Sequence, residues 1–372
     1  MFGFQSIYFF FFLFLIFFVL FLQANIKDKK KYCILCFSLL FLFAGLRGET
    51  VGGDLKRYLP EFNNVAHVSF ARLFQYGYHE PGYVLYIKLL SLISDNNRAF
   101  LIGTSLAAMV GPCVLFYKYS KKPAISILLY YAMGYYTNTF NNVRQSIAMS
   151  VAFFIMPYLV ERKWWKYVIG CILATCFHYS AIILLVSYPL TYKELNFKRL
   201  LFFFLSGIAS VYLFTLSAFQ YVATFFLTKY DPEELIEERG GTGYSLLLFY
   251  LVLLILFTVF YLSKYKSLGG RQRRLLSLFL MFQLLTTIIQ MCAPVFSSMM
   301  RMAFYFFIPI VTIGVPYIHS LIRGDLNRKI FYIGVFVYAI LYMNFVTYAF
   351  NKESGSNSQG VIPYVFLNTT IF

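Results

Sequence analysis

Arg47, Arg144 and Arg301 stand at the ends of apolar runs, Asp54 and Glu80 lie between runs and His178 within one, with Gln145 directly after Arg144 and Tyr305 one helical turn after Arg301. A guanidinium grips phosphate oxygens bidentately and stays charged at any working pH, so Arg47, Arg144 and Arg301 suit a clamp for a diphosphate. A carboxylate or imidazole within hydrogen-bond reach of a sugar hydroxyl can take its proton. Asp54 in Gly52-Gly53-Asp54, Glu80 in His79-Glu80-Pro81-Gly82, and His178 are the candidates for that base. Transfer from a lipid diphosphate needs these two devices, because the leaving group is already good and only the acceptor hydroxyl must be activated. Taken singly, each residue has a plainer use: an arginine reaching a lipid phosphate, an aspartate in a glycine-rich turn, a hydrogen-bonded core histidine. Their convergence on one side of a membrane favours the chemical use, since ionisable groups at such depth are costly. No His/Asp pair stands at a metal-ligand spacing, and no Gly-x-Ser-x-Gly, Walker or dinucleotide fingerprint occurs, so neither metal nor cofactor is expected.

The elements that must hold these residues are set by composition. The 372 residues are 60% apolar, 21% aromatic and 13% charged, with 45 Phe and 32 Tyr. Soluble domains use about 45 to 50% apolar and 25% charged residues. A mean hydropathy of +0.68 excludes disorder, and the chain reads as an integral membrane protein. The net charge of +17 would suggest nucleic acid in a soluble protein. Here it is concentrated in six basic clusters beside apolar runs: Lys27 to Lys31, Lys118 to Lys122, Arg162 to Lys166, Lys193 to Arg199, Lys264 to Arg274 and Arg323 to Lys329. That is the mark of cytoplasmic loops, and no nucleic-acid partner is needed to explain it.

A helix needs about 20 apolar residues to cross about 30 Å of hydrocarbon. Runs at 4–22, 32–46, 99–117, 124–137, 146–160, 200–227, 244–262, 275–291, 302–320 and 330–349 qualify as spans. The first resembles a signal peptide, but with no basic residue before it and no small-residue cleavage site after it, it reads as a retained span. Holding all six basic clusters on one side imposes parity. Between Lys31 and Lys118 one of three apolar runs must not cross, and the 83–93 run, short and carrying Lys88, becomes a juxtamembrane helix on the outer interface. Between Arg162 and Lys193 the 167–190 run must cross twice, as a short helical hairpin turning near His178. The fold class is thus all-α and polytopic, about twelve transmembrane helices in a single membrane domain over 1–372, with both termini outside. Three outer segments result: a long first loop over 47–97, an acidic loop over 229–243 and a C-terminal tail over 351–372. Asp95-Asn96-Asn97 reads as a helix start, and Cys33-x-x-Cys36 as core packing.

Several blocks in this order resemble the EpsG family of bacterial exopolysaccharide polymerases, which are Wzy-type. They are Gly53-Asp54 with Tyr58; Glu80-Pro81-Gly82-Tyr83; Asn142-Val143-Arg144-Gln145-Ser146-Ile147-Ala148; Ala174 with Phe177-His178-Tyr179-Ser180; Arg301 with Tyr305-Phe306; and Ile362-Pro363-Tyr364. The resemblance runs from about Gly45 to Leu367, and the Arg-Gln-Ser-Ile-Ala and Phe-His-Tyr-Ser blocks are its most specific parts. It implies a GT-C-like membrane glycosyltransferase of the bacterial cytoplasmic (inner) membrane with its active site facing outward. A glycan on undecaprenyl diphosphate would pass to the hydroxyl of another lipid-linked repeat unit. On this resemblance Asp54 matches the first-loop acid, Arg144 and Arg301 the arginines and His178 the histidine. The partners implied are the undecaprenyl-diphosphate-linked oligosaccharide, membrane lipid, and a chain-length regulator and flippase of the same pathway. His67 and His79 have no assignment. The alternatives are a polyprenyl-phosphate-dependent glycosyltransferase or O-antigen ligase, and, outside enzymes, a lipid-linked glycan flippase or transporter. Transporters more often show related halves and mid-membrane charges, neither of which this sequence displays.

Overall fold

A computed structural model describes residues 7–75, 79–215, 243–293 and 298–344, with parts of the tail at 350–351, 356–357, 361, 364–366 and 369–370. These residues are almost entirely helical, as the apolar runs demand: in hydrocarbon a helix satisfies every backbone N–H and C=O within its own segment. Six helices among them are long and apolar enough to cross a membrane: Ile7–Asn25, Asn97–Tyr119, Val143–Val160, Leu246–Ser267, Gly270–Cys292 and Arg301–Leu321. The 32–46 run forms the 17-residue helix Lys29–Gly45. The run at 124–137 divides into Pro123–Ala132 and Tyr135–Asn141, separated by Gly134 in the left-handed region at φ 76. The 302–320 run is continuous but widens into a π turn over Ile310–Gly314 directly after Pro309, whose missing N–H breaks the regular ladder.

Two compact units are distinguished, Met1–Ile182 with Val311–Phe372, and Ile183–Ile310. In the first, α1 (Ile7–Asn25) and α2 (Lys29–Gly45) precede the first loop, and α5 (Asn97–Tyr119) packs between α2 and α8 (Val143–Val160). The loop itself folds as α3 (Leu55–His67), a 3-10 turn over Phe70–Gln75 and α4 (Pro81–Ser91). Its apolar stripe, Leu59, Phe62 and Val65 of α3 with Val84 and Ile87 of α4, closes over Phe100 at the start of α5. The helix expected at 83–93 is therefore present and begins two residues earlier, where Pro81 takes the first helical position. Lys88, which argued against a span there, turns inward: its Nζ donates to the Val65 and Ala66 carbonyls at 3.3 and 2.9 Å and caps the end of α3. The Asn96 side chain accepts from Arg98 N–H at 2.8 Å, so α5 starts where the Asp-Asn-Asn trio predicts. Cys33 and Cys36 are buried in the core.

After α6 (Pro123–Ala132) and α7 (Tyr135–Asn141), α8 packs on α9 (Trp164–Thr175). The expected break near His178 is found at 176–178. Beyond it the chain continues as a 3-10 segment over Tyr179–Val186 and one α turn, α10 (Ser187–Leu190), in place of a second α-helical arm. The cause is a long-range contact, because the groups that would continue the α ladder are engaged elsewhere. Tyr179 N–H goes to the Glu80 carboxylate, and the Cys176 carbonyl accepts from Gly82 and Tyr83.

The second unit holds α11 (Phe197–Thr215), α12 (Gly243–Lys264), α13 (Gly270–Cys292) and α14 (Ser298–Pro309), with the other three packed on α13. The first unit is completed by α15 (Val315–Leu321) and α16 (Asp325–Tyr342). The end of the tail docks on the first unit: Tyr364 Oη donates to Phe43 O at 2.7 Å and Gly48 N–H to Val365 O at 2.6 Å. The acidic segment with Asp231, Glu233, Glu234, Glu237 and Glu238 lies outside the described residues, as does the second half of the 200–227 run.

Candidate functional site

The site is built where α4, α8 and α9 begin or end. Gly82 and Tyr83 N–H both point at the Cys176 carbonyl, at 2.8 and 3.3 Å, so the first turn of α4 finds its acceptor on the C-terminal end of α9. A Cβ on Gly82 would sit 2.8 Å from Cys176 O and 2.9 Å from its Cβ, which makes glycine a requirement of this approach. With the two chain segments joined, Glu80 occupies the N-cap position of α4 without capping it. Its carboxylate turns away, buried at 1% exposure, and binds three partners: Arg144 Nη1 at 2.6 Å on Oε2, and His178 Nδ1 and Tyr179 N–H, both at 3.1 Å, on Oε1. Burial alone would raise the Glu80 pKa. The His178 and Arg144 contacts outweigh it and hold the carboxyl down at about 2.

Arg144 is the second residue of α8, the end of a helix that repels cations, and Glu80 offsets that repulsion. Its Nε donates to Tyr58 Oη at 3.4 Å, and the guanidinium lies 5.8 and 5.9 Å from the Tyr58 and Tyr83 rings. Among the described residues Nη2 has no hydrogen-bond partner, and it is not buried, so one edge of the fork is open to a ligand. His178 is in the same condition, with Nδ1 on Glu80 and Nε2 unengaged among the described residues. A carboxylate that accepts from Nδ1–H leaves the lone pair on Nε2, the tautomer a general base requires.

Asp54 joins the same neighbourhood. It sits at the N-cap of α3, one turn before Tyr58, and its backbone N–H donates to Asn141 Oδ1 at 2.7 Å, just ahead of α8. Gly52 allows this turn: its φ is +123 and a Cβ there would be 2.3 Å from the Phe140 carbonyl. The Asp54 carboxylate makes no cap hydrogen bond and is partly exposed. The structure thus joins Glu80, Arg144 and His178, and places Asp54 one helical turn from Tyr58, which Arg144 contacts.

Arg47 is fully buried: Nη1 donates to Ala44 O at 2.6 Å and Ser105 Oγ at 2.9 Å, Nε to Val51 O at 3.3 Å, and the guanidinium stacks 4.7 Å over Phe140. Burial lowers its pKa to about 10, which keeps it charged at neutral pH. It ties the end of α2 to α5 and to the first loop through Nη1 and Nε, while Nη2 is buried without a hydrogen-bond partner among the described residues. Gln145 is buried on α8, facing away from its neighbour Arg144 as adjacent helical residues do. Arg301, exposed, and Tyr305, buried, belong to α14 of the second unit. Absent from the expected site were Glu61 and its contact with His79, Nε2 to Oε2 at 3.2 Å. The signal was present in the sequence, because Asp54, Tyr58 and Glu61 recur at spacings of four and three on one helix face.

Six apolar helices of spanning length among the described residues, with a buried carboxylate shared by an arginine and a histidine at helix ends, define a multi-pass membrane protein with a polar site. The chain belongs to the EpsG family, whose model matches residues 30–366. Membership points to a polysaccharide polymerase of exopolysaccharide biosynthesis. No curated protein and no solved structure matches the chain.

Proposed function

We propose that this protein polymerises a polysaccharide by transferring a glycan from undecaprenyl diphosphate to a hydroxyl of a second lipid-linked repeat unit, at the outer face of the cytoplasmic membrane. The reading includes a GT-C-like chain of about twelve crossings with the six basic clusters in the cytoplasm. The observation that carries it is the double engagement of Glu80, which fixes an arginine with one open edge and a histidine with one open nitrogen against each other. Arg144 Nη2 takes diphosphate oxygens. His178 Nε2 accepts the proton of the acceptor hydroxyl as its oxygen attacks the anomeric carbon. The bond from that carbon to the diphosphate oxygen breaks, and the lipid diphosphate leaves with the electron pair and stays paired to the guanidinium. Asp54, with its carboxylate uncommitted, assists by binding the acceptor. Glu80 positions His178 and Arg144 and does not itself touch substrate.

A glycan ladder from cells expressing wild type, His178→Ala and Arg144→Ala tests the proposal, with membrane levels matched. Loss of long chains with single lipid-linked repeats accumulating is the expected result. An intact ladder in both variants would return these charges to a structural role and reopen the ligase and transporter readings.

A further inference from the structure

Beside the Glu80 network, α3 and the start of α4 assemble a second polar group that the proposed transfer does not use. Glu61 shares the α3 stripe of Asp54 and Tyr58, and His79, the residue before Glu80, brings Nε2 to 3.2 Å from Glu61 Oε2. Tyr83 stands between this pair and Arg144. Its ring meets His79 edge-on with centroids 6.1 Å apart, Tyr58 at 6.0 Å, and the Arg144 guanidinium at 5.9 Å. Tyr83 is fully buried, and among the described residues neither its hydroxyl nor the buried Nδ1 of His79 has a hydrogen-bond partner. Buried polar atoms are nearly always paired, so unpartnered atoms on two residues in contact indicate a polar group that completes them. Access is available, since the Glu61 and His79 side chains are 17% and 25% exposed against 2% for Glu80. Glu61 Oε1 is not buried and makes no hydrogen bond among the described residues.

The geometry points to a sugar-binding subsite in which Glu61, beside His79 and with its buried Oε2 also without a hydrogen-bond partner among the described residues, accepts from a hydroxyl of the acceptor sugar adjacent to the one His178 deprotonates. This rests on the polymerase reading. A sugar hydroxyl both donates and accepts, so it can satisfy a carboxylate oxygen on one side and a phenol or imidazole on the other. The occupant is the acceptor because a carboxylate repels the diphosphate, which keeps the charged end of the donor on the Arg144 side of the Tyr83 ring. Glu61 is then a residue that positions the acceptor, and the part of the site that selects it.

The test uses the full-length protein in nanodiscs, the lipid-diphosphate-linked repeat unit as donor, and a soluble oligosaccharide with the non-reducing end of that repeat as acceptor. Loss of a hydrogen bond to a charged group predicts a rise of about 10- to 100-fold in acceptor KM for Glu61→Gln and for His79→Gln, and a matching loss in direct binding of the soluble acceptor. Donor KM and kcat stay within about 3-fold, and Glu61→Asp recovers part of the loss. Unchanged acceptor binding in both variants, or equal losses for donor and acceptor with a lower melting temperature, would overturn the subsite while the polymerase reading stood. A wild type that binds neither saccharide and makes no polymer would sink that reading and the subsite with it.

Discussion

Glu80→Gln is the substitution that separates a positioning carboxylate from a merely buried one. The side chain is almost isosteric, so packing against α4, α8 and α9 is kept while the charge is removed. Wild-type Glu80 sits 2.6 Å from Arg144 and 3.1 Å from both His178 and Tyr179 N–H. Its pKa falls from 4.5 to about 2 despite burial. That difference corresponds to about 3 kcal/mol favouring the ionised, folded state. Because the folded-state value is the lower one, this stabilisation is complete above about 4.5 and is lost as pH falls through about 2. The wild type therefore melts at progressively lower temperature below about pH 4.5, and Glu80→Gln, already lower at pH 7, responds less in the same window. Catalysis is affected by a separate route. An amide must direct its oxygen to Arg144, which leaves its NH₂ donating to His178 Nδ1 and moves the imidazole proton onto Nε2. The base is then in the wrong tautomer, and turnover falls about 10²- to 10⁴-fold, the usual worth of general base catalysis. Thermal melts of purified protein from about pH 7 to about pH 3, with a single-turnover assay on the lipid-linked repeat, measure both effects. Wild-type turnover in a folded Glu80→Gln protein would refute the assignment of His178 as base oriented by Glu80.

Three further substitutions probe the framework around it. Gly82→Ala places a Cβ against the Cys176 backbone and should cost about 1 to 3 kcal/mol while pulling Glu80 off His178, so both melting temperature and chain length fall; a fully active variant would show that the contact is slack. Arg47→Ala strips partners from the Ala44, Val51 and Ser105 oxygens at about 1 to 3 kcal/mol each, so membrane level drops while activity per molecule and substrate KM hold, and a selective rise in KM would identify Arg47 as a phosphate ligand. Asp54→Asn should shorten the ladder less than His178→Ala, and the reverse order would transfer the role of base to Asp54.

Much of this architecture was legible because helix ends and charges leave strong local marks. The Asn96 cap arises from residue types within a few positions, the break at 176–178 follows from the parity of crossings, and the Arg144 and His178 blocks stand out against apolar sequence. The contents of the first loop were harder to read. Helix α3 contains Pro60 and several polar residues, and although Leu55, Tyr58, Leu59, Phe62 and Val65 recur at helical spacing, only the structure shows that α4 and Phe100 are what this stripe packs against. Arg47 shows the same limit from the other side. From sequence it is a cation at a membrane edge, and only the arrival of Ser105, Val51 and Phe140 around its guanidinium makes it a staple. Whether a polar residue serves a ligand or the fold depends on which of its atoms are already engaged, and that is long-range information.

The engaged atoms also indicate why the site lies at helix termini. A charge in mid-span is costly, whereas the first turn of a helix offers unpaired N–H groups and the last turn unpaired carbonyls. Asp54 and Glu80 both hold N-cap positions, where an acidic side chain ordinarily bonds the first turn, and neither does so. Forgoing a cap costs about 0.5 to 2 kcal/mol. For α4 the loss is covered by the Cys176 carbonyl, which receives the Gly82 and Tyr83 N–H groups, and the carboxylate is thereby released to Arg144 and His178. For α3 the Asp54 carboxylate is left without a cap bond, one turn from Tyr58. Two acidic caps diverted from capping within one loop are poorly explained by stability, which would be better served by letting them cap. They are well explained by a site that needs one carboxylate fixed, to orient a base and a cation, and another left available to substrate.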